Sequence, residues 1–292
     1  MHHIYTKKRF ILFALPLFIF FTALFILPMF LGLYYSFTKY SGLGEPVWIG
    51  LKNYVNLFND KFLAKSITNT LQMTAVNLVT VLPVSFFCAY LLRKTSRKNT
   101  IYKTVLFAPY VIPGAISGLI WYFIWEPGAG LLNSVLRAVD LESWTQQWIG
   151  GNTLTPLAVG IVCAWGGMGF YMVLWQLGMK NISPEVMEAS LIDGCNKRQQ
   201  ISKIMLPLLR DTTTNIFIFV LTGGLKIYET VFVLTGGGPN HASESLVSYL
   251  YVATFQQGKY GYGMAIAAVE FVFALVVTGL SIIISRRKKL DM

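Results

Sequence analysis

Few side chains in this sequence are placed to make or break bonds. The three histidines are scattered: His2 and His3 lie at the terminus and His241 in a polar loop, and none has clustered metal-ligand spacing. Cys88, Cys163 and Cys195 are too few and too dispersed for a disulfide framework or a CxxC metal site, and they read as small packing residues. No Ser/His arrangement, paired intramembrane Asp or His-rich run is present to suggest an intramembrane enzyme. No G-x-x-x-x-G-K-[S/T] loop is present to cradle nucleotide phosphates. What remains is recognition chemistry: acidic side chains, Glu188 and Asp193, in a polar segment, and isolated charges, Lys226, Glu229 and Glu270, in or beside apolar stretches.

The elements that carry these residues are set by composition. Of 292 residues, 54% are hydrophobic and only 13% charged, about half the charge of an ordinary soluble domain. An aromatic content of 15% excludes a disordered chain. A net charge of +11 would suggest nucleic acid on a soluble protein, but here the apolar bulk points to a bilayer instead. A transmembrane helix needs about 20 mostly apolar residues. Six stretches qualify, near 11–37, 67–92, 104–125, 154–178, 212–234 and 262–284, which predicts an all-α membrane protein with six spans. The first run is too long for a signal-peptide core and lacks a cleavage site, so it reads as a retained span. Pro16, Pro28, Pro83, Pro109 and Pro113 fall inside spans, where neighbouring helices can satisfy the freed carbonyls.

Charge placement gives an orientation. Of the 24 Lys and Arg, 17 fall in the N-terminal segment, 93–103, 180–210 and the tail, against 6 in the opposite loops. Positive-inside bias then predicts that both termini are cytoplasmic. The tail Arg286-Arg287-Lys288-Lys289 reads as a stop flank rather than a lipid anchor. Of the outer loops, 38–66 and 126–153 are long enough for short surface helices, one of them starting at Gly130-Leu131.

The cytoplasmic segment 179–211 is too polar to span and too apolar for a loose linker. Ser183, Pro184 and Glu185 supply an N-cap, a first-position proline and a first-turn acid. Glycine at 194 can end that helix. A second helix follows from Lys197 to Leu206, with an apolar stripe of Ile201, Ile204 and Met205, and Pro207 stops it. The spacing predicts a helix-turn-helix on the cytoplasmic surface: either an amphipathic connector or a docking element that exposes Glu188 and Asp193.

Glu188-Ala189-Ser190, Asp193-Gly194, nine residues, then Ile204-Met205-Leu206-Pro207 resembles the EAA motif of binding-protein-dependent ABC importer permeases, with Ser190 for the second alanine the single departure. Thr235-Gly236-Gly237-Gly238-Pro239, then Tyr249-Leu250-Tyr251, Ala253, Phe255 and Gly261-Tyr262-Gly263, is similar to the sugar branch of that family, the maltose-type and glycerol-3-phosphate-type importers. On the residues alone, the Gly-Gly-Gly-Pro run is a sharp exit turn.

The resemblance implies a type I ABC importer transmembrane domain over 67–285, with the coupling loop at 183–208. Residues 1–66 carry the first span and its loop, and 286–292 form the basic tail. It implies Glu188, Ala189, Ser190, Asp193 and Gly194 as coupling residues. It also implies a sugar site partway across the membrane, near Trp165, Gly167, Phe170, Gly223, Gly224, Lys226 and Ile227. Aromatic rings suit the apolar C–H faces of sugars. Trp165 shares a helical face with Met168 and Met172, whereas Trp175 reads as interfacial. Gly223-Gly224 serves either close helix packing or ligand space. Lys226 at a span centre should face a polar interior or Glu229. Glu229 lies close enough to the outer surface to snorkel, and Glu270 is an inward-facing polar residue of unassigned role.

The implied partners are a second homologous permease subunit, an ATPase dimer that holds ATP and Mg, and an extracytoplasmic binding protein. The sugar and the lipid bilayer complete the list. The chain itself is expected to bind no cofactor, metal or nucleic acid and to catalyse nothing. A stand-alone secondary transporter or channel is the competing class. It should show inverted repeats or several inward ionisable residues, which this sequence lacks.

Overall fold

The computed structural model describes residues 7–290, with side chains for 14–283; His2 and His3 and the side chains of Arg286–Lys289 therefore lie outside the described residues. The chain is helical almost throughout and divides into two compact units. One unit holds the chain through Asp60 together with Leu250–Val272, and the other holds Lys61–Tyr249 and the stretch from Phe273.

In the smaller unit, α1 (Lys7–Phe21) runs through a π-helical turn at Thr22–Ile26 into α2 (Leu27–Ser36). Pro16 and Pro28 sit within this helical run, as expected of span prolines. Two short antiparallel strands follow, β1 (Thr38–Lys39) and β2 (Val47–Trp48), with Thr38 opposite Trp48. The helix α3 (Lys52–Phe58) places Asn53 so that its amide donates to the Ser36 and Thr38 carbonyls at 2.8 and 2.9 Å.

The larger unit is built on α4 (Lys61–Leu91). Its buried positions include Leu63, Ser66, Thr70, Met73, Asn77, Val81, Ser85 and Ala89, recurring every three or four residues. Half of that stripe is polar. In lipid there is no hydrophobic drive to join apolar helices, so small and hydrogen-bonding residues make the contact instead. Next come α5 (Arg97–Val111), α6 (Gly114–Trp125) and the surface helix α7 (Leu131–Ala138), which starts where the sequence predicts. The long helix α8 (Leu154–Lys180) lies against α4 and α5. After it come α9 (Pro184–Ile192), α10 (Lys197–Gln199), a π-helical turn at Gln200–Met205 and α11 (Leu206–Leu208). Then α12 (Arg210–Leu225) packs on α4, and α13 (Glu229–Leu234) on α6. The last helices are α14 (Leu246–Tyr251) and, after a π-helical turn at Val252–Gln256, α15 (Tyr260–Leu290), which runs through both units.

Among the described residues, four helices are long and apolar enough to cross a bilayer: Ala14–Ser36, Lys61–Leu91, Leu154–Lys180 and Tyr260–Ile283. Two bent pairs raise the count to six if each is one span. The expected span at 104–125 is corrected to one of these pairs, α5 and α6, which meet at 102°. Pro113 disfavours the helical region for the residue before it, and here Ile112 is extended at ψ 126°. The expected span at 212–234 is also interrupted. Helix α12 ends at Leu225, just beyond the helix-weakening Gly223-Gly224 pair, with Lys226 as its C-cap, and α13 restarts at Glu229. The second bent pair lies earlier, with Lys197–Leu208 turning 72° into Arg210–Leu225.

Two glycines of α8 permit its close crossings with α4 and α5. A Cβ at Gly160 would sit 2.7 Å from the Val76 Cβ and 2.8 Å from the Met73 carbonyl oxygen. A Cβ at Gly169 would overlap the Leu106 carbonyl oxygen and the Phe107 Cα, both backbone atoms that cannot swing away. Gly166, one turn back, faces open space. Gly169→Ala should therefore cost about 1–3 kcal/mol by overpacking. Gly166→Ala should be neutral or stabilise by up to about 1 kcal/mol. Thermal unfolding of the two variants in detergent checks the pair, and equal midpoints would contradict the crossing.

Candidate functional site

The EAA segment is two short helices locked to each other. Ser183 occupies the N-cap of α9, but its hydroxyl does not accept from the backbone as expected. It donates to the Glu185 carboxylate, which holds that carboxyl below its ordinary pKa. At the other end the Gly194 N–H donates to the Leu191 carbonyl at 3.1 Å and the Cys195 N–H to that of Ser190 at 2.9 Å. Gly194 sits at φ +77°, the left-handed conformation that closes a helix this way and suits glycine. Asn196 then starts α10 with a reciprocal cap, its side chain accepting from the Gln199 N–H while Gln199 caps Asn196 in return. Sequence reading missed that box, although Asn-x-x-Gln was its signal. Pro207 lies inside the last helical turn rather than stopping it, and the chain bends beyond it, next to Leu209.

Ser190, the one departure from the motif, has a task here. It is buried, and its hydroxyl donates to the Met187 carbonyl at 2.7 Å and accepts from the Gln200 side chain at 2.8 Å. This bond ties α9 to the π-helical turn, a link alanine could not make. Met187, Met205 and Leu209 pack beneath against Val81, Met172 and Trp175. Glu188, Ala189, Asp193 and Gly194 face outward, with Leu191 62% and Ile192 88% exposed beside them.

Trp175 is corrected from an interfacial to a core residue. It is 2% exposed, its indole N–H donates to Ser85 Oγ at 3.1 Å, and Phe86 meets it edge-on at 5.2 Å. The polar face of α4 thus supplies the partner that an interfacial Trp would seek in water.

The expected solute residues separate into packed and open positions. Ile227 is 8% exposed within the cluster of Met73, Trp125 and Val231, and its carbonyl accepts from Ser245 at 2.5 Å. Gly224 is a packing glycine, since a Cβ there would lie 2.6 Å from Thr74. Gly167 makes room for the ring of Tyr171 in its own helix. These three pack against their neighbours in this structure. Gly223, by contrast, is exposed with nothing near its missing Cβ, so the two glycines serve the two purposes the sequence leaves open.

Phe170 stacks on Tyr110 at 4.7 Å and 10°, and meets Phe219 edge-on at 6.5 Å. Phe219, Gly223 and Lys226 then follow at i, i+4 and i+7 on one exposed side of α12. Nothing in the local spacing of Tyr110 and Phe219 signals this helix crossing. Lys226 is exposed at the C-cap of α12 rather than at a span centre, where a cation complements the helix dipole. It forms no ion pair with Glu229 among the described residues. Glu229 is exposed in the first turn of α13, with its carboxylate against Gly114 at the start of α6. Glu270, in the smaller unit, is half-buried. Trp165 is half-buried and edge-on to Trp121 at 5.6 Å, and the buried Trp121 Nε1 has no hydrogen-bond partner among the described residues.

The Gly-Gly-Gly-Pro loop is more than an exit turn. Gly236, Gly237 and Gly238 all have positive φ, and so do Asn240 and His241. Helix α4 pins the loop: Asn69 donates to the carbonyls of His241 and Glu244 at 3.0 and 3.1 Å, and Lys65 to that of Asn240 at 2.9 Å. Glu244, 2% exposed, pairs with the His241 ring.

Residues 81–289 match the family described as binding-protein-dependent transport system inner membrane component. The chain is 33% identical to a probable ABC transporter permease protein, YurN, of Bacillus subtilis, over 91% of this chain and 92% of that one. It is 31% identical to the multiple sugar-binding transport system permease protein MsmF of Streptococcus mutans, over 90% of each. Its fold is similar to a chain of a bacterial ABC transporter involved in import of the acidic polysaccharide alginate, with a TM-score of 0.83, 22% identity and 96% of both chains covered. The chain belongs to this family of transmembrane permease subunits of ABC importers, in which a separate subunit hydrolyses ATP.

Burial raises the Glu244 carboxyl above its ordinary value of 4.5, and the His241 contact only partly offsets this. A raised acid stabilises the fold below the ordinary value, and that contribution is lost as pH rises through the folded one. Glu244→Gln should therefore match the unsubstituted protein near pH 4.5 and unfold a few degrees higher at pH 7. Thermal scans across that interval check it; earlier unfolding at pH 7 would mean that the ion pair outweighs burial.

Proposed function

We propose that this chain is one of two homologous permease subunits that carry a sugar or sugar-like solute across the cytoplasmic membrane by alternating access. ATP and Mg are held by a cytoplasmic ATPase dimer, and the solute is delivered by an extracytoplasmic binding protein. In this reading the chain has six spans, the first near 11–37 and five within the domain over 67–285, and both termini are cytoplasmic, in keeping with the Lys and Arg bias. The sugar class is supported by the name of the Streptococcus mutans relative. The delivery step is supported by a similar fold solved with an alginate pentasaccharide-bound periplasmic protein.

The observation that carries the coupling role is the two-sidedness of α9. Glu188, Ala189, Asp193 and Gly194 face outward beside bared Leu191 and Ile192, while Ser190 and Met187 fasten the helix to the core below the span ends. A push on the outer face is thereby passed to α4, α8 and α12 as a rigid-body displacement. The solute reading places Phe170, Gly223 and Lys226 on one open strip with Tyr110 and Phe219, and Trp165 beside Trp121.

Gly194→Val should abolish solute-stimulated ATP hydrolysis in the reconstituted complex while the chain still inserts in the membrane. Glu188→Trp should do the same without touching the helix end. Normal stimulation in both variants would sink the coupling role. Trp165→Ala should slow uptake about tenfold, the worth of one good aromatic contact. Unchanged uptake would remove Trp165 from the solute path.

A further inference from the structure

A second recessed site lies where α4, α8 and α9 meet. It is a half-open cavity of about 360 Å³ lined by Arg93, Gln176, Met179, Lys180, Ile182, Met187 and Met205. Its lining is divided by chemistry. One part carries two cations and a carboxamide with no acid among them; the other is three methionines and an isoleucine. Methionine is flexible and polarizable and suits an apolar guest without a fixed shape.

The position is as informative as the lining. Arg93 lies two residues beyond the end of α4, and Lys180 is the last residue of α8, so both cations stand at the ends of helices apolar enough to cross a bilayer. Long cationic side chains at span ends reach the depth of lipid headgroups. Both are also pre-arranged. The Arg93 guanidinium lies 4.0 Å from the centre of the Tyr90 ring and donates to the Tyr90 carbonyl at 2.7 Å, which leaves it further N–H donors. Gln176 donates to the Ala89 and Leu92 carbonyls at 3.4 and 3.3 Å, fastening α8 to the end of α4 and so fixing the two cations relative to each other. Lys180 forms no ion pair among the described residues.

We infer that this cavity binds an anionic phospholipid, its phosphate between Arg93 and Lys180 and the start of its acyl chain on Met179, Met187 and Met205. A basic pocket between helices at the bilayer surface is the form such sites take. A free phosphate would satisfy the cations and leave the methionine floor bare. The inference concerns a site apart from the solute path and holds in whichever leaflet the cavity lies. Because Met187 belongs to α9, the lipid would touch the helix whose outer face is proposed for coupling.

The test is native mass spectrometry of the full chain in neutral detergent, titrated with phosphatidylglycerol, with phosphatidylcholine and with inorganic phosphate. The expected result is retention of phosphatidylglycerol alone. The Arg93→Gln/Lys180→Gln pair should weaken it roughly twenty-five-fold, about fivefold for each cation. Met187→Trp keeps both cations and fills the floor, and it should also displace the lipid; it serves if the charge variant does not fold. Lys94→Gln/Lys98→Gln removes the same charge outside the cavity and should leave retention unchanged. Equal loss in that control, equal retention of phosphatidylcholine, or binding of inorganic phosphate that competes with the lipid would each overturn the proposal.

Discussion

The close approach of α8 to α4 is the contact on which the larger unit depends. Within a bilayer the usual cause of packing is missing, because lipid tails are as apolar as leucine. The two helices meet instead through what α8 lacks in bulk and α4 supplies in hydrogen bonds. Gly160 admits Val76 and the Met73 backbone, and Ser85 receives the Trp175 indole. The same helix face reaches further. Thr74 fills the space left by Gly224 of α12, Thr70 accepts from the Leu246 backbone, and Asn69 pins the glycine-rich loop. One polar stripe therefore organises α8, α12 and the loop before α14. A run of leucines in its place would be as soluble in lipid and would specify none of these partners.

That arrangement explains why the EAA segment can be short and still be held firmly. Its underside rests on the cluster of Val81, Met172 and Trp175, so α9 is positioned by the same contact that joins α4 to α8. The bond from Gln200 to Ser190 then makes the two limbs of the segment one body. Motion imposed on the outer face has two places to be absorbed: the left-handed turn at Gly194 and the bend next to Leu209. The first lies within the bonded pair and the second outside it. A rigid segment that swings at the bend, rather than one that flexes at its own turn, is what these bonds favour.

Much of this was legible in the sequence, and the parts that were not share a cause. Local chemistry gave the ends of α9 through Pro184, Glu185 and Gly194, and the surface helix after Gly130. Apolar length gave four of the six expected runs as uninterrupted helices among the described residues. Where the outcome depended on a neighbour, the local signal was ambiguous. Pro113 can be tolerated in a span or break it, and its effect on Ile112 prevailed over helix continuation. Trp175 has the amphipathic character of an interfacial residue, and only Ser85, ninety positions earlier, turns it into a core one. Ile227 was placed near the solute site by the resemblance alone; with α12 ending at Leu225, its side chain lies in the core.

The paired glycines show the same dependence at its sharpest. Gly223 and Gly224 are chemically identical and adjacent, and no pattern in the chain distinguishes them. Successive residues of a helix point about 100° apart, so one helix cannot offer both to the same neighbour. Helix α4 takes Gly224 through Thr74, and Gly223 is left facing the open strip with Phe219 and Lys226. The break that follows has a function in this geometry. If α12 continued through Lys226 as one helix, a charge would lie within an apolar span, at a cost of about 2.5–3.5 kcal/mol on insertion scales. Ending the helix there sets the ammonium against the negative end of the helix dipole instead. Weak helix formers, a terminal cation and an open aromatic strip thus follow from one constraint: α12 packs on α4 through Gly224 and then stops.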